Sequence, residues 1–114
     1  MKKVFVPFLP LFLALLAASF LAFASAEAGD IAAGEIKAEP CAACHGAGGN
    51  EPIGANPKIA GQSRKYLLQV MREYRNGKRT DPIMNAQIGE NTGITDEDLQ
   101  DLAAYFAGQP GDLR

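Results

Sequence analysis

Cys41-Ala42-Ala43-Cys44-His45-Gly46 is the stretch that decides how the rest of this chain is read. The 114-residue sequence has two cysteines and one histidine, and all three fall within the first five of these positions. Scattered at random they would land this way roughly once in several thousand chains, so the C-x-x-C-H haem-attachment pattern carries weight. The spacing has a physical reason. Positions i, i+3 and i+4 of a helical turn share one face. Cys41 and Cys44 then reach the two vinyl groups of one porphyrin as thioethers, and His45 turns its imidazole to the iron as an axial ligand. Gly46 has no side chain to crowd the ring.

Other uses of the same residues fit less well. A structural zinc site wants four ligands, usually as two separated pairs, and here a lone carboxylate would have to complete the set. A thioredoxin-like redox pair expects strands around it, and nothing near Cys41 reads as a strand. A disulfide between Cys41 and Cys44 would close a very short, strained loop and leave His45 unexplained.

Moving outward, the N-terminal stretch reads as a separate unit. Met1-Lys2-Lys3 is a short basic start, and Val4 through Ala24 carries no charge. Ala22-Phe23-Ala24 and Ala24-Ser25-Ala26 both have the A-x-A form of a signal-peptidase site. Residues 1–26 are therefore expected to be an export signal, cut after Ala24 or Ala26, with residues 27–114 as the working domain. The apolar run is long for a signal core, so an uncleaved anchor facing the periplasm is the alternative, made less favourable by Pro7 and Pro10. The remaining domain is small for an apolar core alone, and a covalently held haem supplies the missing apolar mass. Export fits as well, because this haem is attached outside the cytoplasm.

Without Lys2 and Lys3 the domain has 9 basic and 13 acidic side chains, a net charge of −4. Seven basic residues (Lys58, Arg64, Lys65, Arg72, Arg75, Lys78, Arg79) crowd the stretch 58–79 against Glu73 alone, and acids dominate from Thr80 onward. Each block reads either as a solvated helix face or as a surface that orients a redox partner. Nucleic-acid binding is excluded by the acidic balance and the expected export signal.

The periodicity predicts an all-α domain of three main helices wrapped around the haem. Asp30 caps a first helix from Ile31 to about Glu39, with Ile31 and Ile36 buried and Pro40 as its stop. Gly34 implies close approach of another element. Gly46 to Asn56 is a turn-rich loop. A second helix runs from Gln62 or Ser63 to Asn76, with the stripe Tyr66, Leu67, Val70, Met71 and Tyr74 and a stop at Gly77. Thr80 to Met84 is expected to be non-helical because of Pro82, and Asn85 to Ile94 irregular or holding one short turn. The last helix starts at Thr95, with Asp98 in a capping-box position and Leu99, Leu102, Ala103, Tyr105 and Phe106 on its apolar face.

The iron's second axial ligand cannot be histidine, since the chain has no other. Met71 lies on the helix stripe and reads as packing. Met84 follows Pro82 in what is expected to be an extended loop and is the favoured ligand, with an open or water-bound iron as the alternative. A His45/Met84 pair would fill both axial sites and raise the potential, which points to electron transfer and away from enzymatic catalysis. Arg79 and Gln62 are candidate contacts to the haem propionates.

Taken together, residues Gly29 to Gln109 resemble the class I cytochromes c of bacterial periplasms, most closely one half of their two-haem members. The attachment motif is Cys41 to Gly46, the proximal loop Pro57-Lys58-Ile59-Ala60-Gly61-Gln62, and the methionine loop Gly77 to Met84. The resemblance implies that the Pro57 carbonyl accepts from the other ring nitrogen of His45. It also implies that the helix over Asp98 to Phe106 crosses the first helix near Gly34, and that electrons leave at the haem edge beside Cys41 and Cys44. With one C-x-x-C-H, the expectation is one covalent haem c and a periplasmic electron carrier serving redox partner proteins. A haem subunit or tethered domain of a larger oxidase or dehydrogenase is the alternative.

Overall fold

A computed structural model describes residues 2–3 and 29–111. Apart from Lys2 and Lys3, the expected export signal and its cleavage sites lie outside the described residues. Among those residues there are five α-helices and no strand: α1 (Ile31–Lys37), α2 (Ala42–His45), α3 (Arg64–Asn76), α4 (Pro82–Ile88) and α5 (Asp96–Ala107). The three expected helices are α1, α3 and α5. The fourth of comparable standing is α4, and it changes the setting of Met84.

Asp30 caps α1 by accepting from the Ala33 N–H at 3.2 Å. The helix ends at Lys37, short of Glu39, and the chain tightens into a 3₁₀ turn over Glu39–Cys41 that runs straight into α2. Pro40 is thus not a stop. It sits in the first turn of the new segment, where its missing N–H leaves no bond unmade. Ile31 and Ile36 are 57% and 74% exposed, contrary to expectation. The buried position of α1 is Gly34, and Ala38, which caps its C-terminal end one turn later, is buried as well.

The reason is the crossing of α1 on α5. A Cβ at Gly34 would meet the Asp101 carbonyl carbon at 2.7 Å and the Tyr105 Cβ at 2.8 Å. Only a residue without a side chain lets the two backbones come that close. The expected crossing at Gly34 is therefore present. The backbone gives Gly46 a requirement of its own: its φ is +79°, and a Cβ there would stand 2.7 Å from the Glu51 N.

Beside the crossing, the buried Asp101 carboxylate accepts from the Asp30 N–H at 2.7 Å and from Lys37 Nζ at 2.5 Å. Lys37 also reaches Asp98 at 2.7 Å. Burial works against the Asp101 charge, but the Lys37 ammonium and then the Asp30 N–H outweigh it, leaving its pKa below the ordinary aspartate value. A depressed carboxylate pKa adds stability above the unfolded-state pKa, and that share disappears as pH falls through the folded-state pKa. Asp101→Asn leaves one acceptor for two donors, so its amide hydrogens face either Lys37 or the Asp30 N–H, and should cost about 2 kcal/mol at neutral pH. In denaturant titrations the gap to wild type should close below about pH 4. A gap that stays constant into acid would assign the cost to packing instead.

The other helices start and stop as their sequences direct. The Ser63 hydroxyl accepts from the Tyr66 N–H at 3.1 Å to open α3, which ends at Gly77. Thr95 and Asp98 form a full capping box at the head of α5, with bonds of 3.2 and 2.9 Å. Leu67, Ile88, Leu99, Leu102, Ala103 and Phe106 make the core between α3, α4 and α5. Of Thr80 to Met84, expected to be non-helical, the last three residues open α4, which runs on to Ile88 through the stretch expected to be irregular or to hold one short turn. Asp81 is extended, as the following Pro82 requires, but its Oδ1 accepts from the Ile83 and Met84 N–H groups at 2.9 Å each. Pro82 takes the first helical position, where proline is favoured. A residue pair read as a helix breaker is a helix start. Beyond α4, a 3₁₀ turn over Glu90–Thr92 lies between Gly89 and Gly93.

Candidate functional site

Cys41, Cys44 and His45 lie on one continuous helical turn, since Cys41 has helical dihedrals (φ −69°, ψ −29°) and leads directly into α2. The three side chains line one cavity of about 360 Å³ that also takes in parts of α3, α4 and α5. Pro57, Gln62, Arg79 and Met84 line it as well, so all seven residues expected from the sequence meet there.

His45 is buried, and its Nδ1 lies 2.7 Å from the Pro57 carbonyl oxygen. A carbonyl only accepts, so Nδ1 carries a proton, and in the neutral ring the lone pair is then on Nε2. The loop that brings Pro57 there is held at several points. The Ile53 N–H donates to the Cys44 carbonyl at 3.0 Å, and the Ile59 N–H to the Gly49 carbonyl at 3.0 Å. The Gly61 N–H donates to the Phe106 carbonyl at 2.9 Å, which ties the far end of the loop to α5. Burial pushes the Cys41 thiol above its usual pKa.

The α3 stripe read from the sequence forms one wall. Tyr66, Leu67, Val70, Met71 and Tyr74 all line the cavity, yet of these only Leu67 is buried. Periodicity found the face but not what it faces, because a cavity and a packed core demand the same residues. Met71 does both, packing on the core while touching the cavity. Met84 reaches the cavity from the first turn of α4, not from an extended loop.

The basic stretch 58–79 is partly neutralised within the domain. Arg72 binds Asp96 through two bonds of 2.7 Å, and this hydrogen bonding holds the Asp96 carboxyl down to about 2. Arg79 Nε lies 3.3 Å from Glu73 Oε2, and its guanidinium stands 5.6 Å from the Tyr74 ring centroid. Lys58 lines the cavity too, a position its place in a charge run did not reveal.

The donor set fits a c-type haem: two thiols and a tautomer-fixed imidazole on one turn, a thioether from another helix, and an apolar wall with a few cationic or amide groups. The cavity volume falls within the usual range of about 300–1,000 Å³ for small-molecule sites.

Comparison with known proteins gives the same direction. The cytochrome c family model matches residues 31–109. Cytochrome c4 of Pseudomonas aeruginosa is 51% identical over 82 residues, which cover 72% of this chain and 39% of that protein. Cytochrome c-554(548) of Halomonas halodenitrificans is 40% identical over 82 residues, covering 72% of this chain and 99% of that one. The crystal structure of reduced recombinant cytochrome c4 from Pseudomonas stutzeri matches with a TM-score of 0.65 at 37% identity, covering 75% of this chain and 48% of that chain. The chain thus spans less than half the length of the cytochrome c4 proteins it matches.

Proposed function

Because this chain belongs to the cytochrome c family, we propose that it is a periplasmic carrier of single electrons, with His45 and Met84 as the axial ligands of its haem iron. The bound haem supplies the one-electron oxidation and reduction. Cys41 and Cys44 hold it covalently, each thiol adding across a vinyl double bond, with sulfur going to one carbon and hydrogen to the other. The observation that carries the assignment is the His45 Nδ1–Pro57 bond, which leaves the Nε2 lone pair as the nitrogen donor in a cavity lined by both cysteines.

Met84 supports electron transfer over catalysis, since a thioether in the remaining axial position leaves no place for substrate. The apolar α3 wall excludes water and limits rearrangement when the charge changes. Gln62 and Arg79 offer donors to the propionates. The partners are redox proteins that give and take the electron, and the basic start, apolar run and A-x-A sites of residues 1–26 support delivery to the periplasm. The N-terminal residue of the purified protein separates a cleaved signal from a retained anchor.

A reductive titration followed by absorbance should take up one electron per chain, reversibly, and the reduced protein should bind carbon monoxide slowly. Rapid carbon monoxide binding would indicate an open distal site and a gas-binding role instead.

A further inference from the structure

We propose that Asn85 is the positioning residue that holds Met84 at the cavity, by fastening the start of α4 to the end of α3; this rests on Met84 being the distal ligand. A seven-residue helix such as α4 is not stable by itself, so its placement depends on what it is tied to. Asn85 follows Met84 directly, is half-buried, and is not among the residues lining the cavity. Any effect it has on the site must pass through the backbone it holds.

Its amide is used on both sides. Nδ2 donates to the Tyr74 carbonyl at 2.7 Å and to the Arg79 carbonyl at 3.1 Å, while Oδ1 accepts from the Asp81 N–H at 2.7 Å. The Tyr74 carbonyl belongs to the last turn of α3, where helix carbonyls lack a partner in the helix itself. One side chain therefore joins the end of α3, the linker and the first turn of α4. The neighbouring bonds do not do this. Arg79 and Glu73 hold the linker to α3 without reaching α4. Lys78 N–H bonds to the Asn76 side chain on the α3 side, and Asp81 caps only its own helix. The chemistry also requires an amide. A carboxylate at position 85 would face two carbonyl oxygens with no hydrogen to give.

The test compares haem-loaded wild type with Asn85→Ala, Asn85→Asp and Arg72→Gln. The last breaks the Arg72–Asp96 pair between α3 and α5 and serves as the control for general destabilisation. In a denaturant series, the sulfur-to-iron absorption band reports Met84 ligation and far-UV circular dichroism reports the helices. Asn85→Ala should lose the band well before the helices, and its reduced form should bind carbon monoxide roughly tenfold faster or more, as loss of three hydrogen bonds, two of them part-buried, implies. Asn85→Asp should do at least as badly, whereas Arg72→Gln should shift band and helices together. Should Asn85→Ala yield no loaded protein, Asn85→Ser, which is too short to span to Tyr74, is read by the same criteria. An unchanged interval between the two transitions, with an unchanged carbon monoxide rate, would overturn the inference. A wild-type protein without the band would instead overturn Met84 ligation, so the two failures are distinguishable.

Discussion

Met84→Ala should lower the reduction potential by on the order of a few tenths of a volt, a sizeable part of the ~0.8 V range that axial ligands span. A neutral thioether favours the reduced iron over the more highly charged oxidised form, and water in its place does not. The same variant should lose the sulfur-to-iron band and bind carbon monoxide quickly once reduced. Met71 provides the internal control, because it too lines the cavity but from the middle of α3, where it packs on the core. Met71→Ala should keep the band and lose stability, by about 2 kcal/mol or more if the site cannot collapse. If Met71→Ala lost the band and Met84→Ala kept it, the ligand assignment would be reversed.

Gly34→Ala should lower the melting temperature of the loaded protein by roughly 10–20 °C, since about 2–3 kcal/mol of overpacking acts on a small domain. On an exposed helix the same change would stabilise by about 1 kcal/mol, so the sign of the result is informative. Here the added methyl meets the Asp101 backbone and the Tyr105 Cβ, neither of which is the free end of a flexible side chain. Relief requires α1 and α5 to move apart, which also strains the Lys37–Asp101 pair beside the contact. Because α1 leads through a 3₁₀ turn into Cys41, the shift would reach the attachment turn. An unchanged or raised melting temperature would mean the crossing has slack.

What could be read from the sequence was what local chemistry fixes. The C-x-x-C-H spacing, the Ser63 and Thr95 starts and the Gly77 stop each depend on residues a turn or less apart, and the structure has all of them. The errors arise where a second element decides. In α1, periodicity assigns burial to Ile31 and Ile36, but the residue at the close crossing of α5 is Gly34. A seven-residue helix has too few turns for its apolar pattern to overrule such a contact. At α4, Pro82 taken alone reads as a breaker, and the Asp81 cap before it makes it a start. Asn85 carried no signal, because the carbonyls of Tyr74 and Arg79 come within its reach only after α3 and α4 have packed. In the site itself, Lys58 belongs to a charge run and the two tyrosines of α3 to an apolar stripe, and both patterns leave open which surface they serve.

The mass of the denatured protein, purified after expression with a haem-maturation system, bears most directly on the central claim. Two thioethers from Cys41 and Cys44 survive unfolding, so the chain should be heavier than its processed polypeptide by one haem. A mass equal to the bare polypeptide would contradict covalent attachment at this turn, and with it the electron-carrier reading built on His45 and Met84.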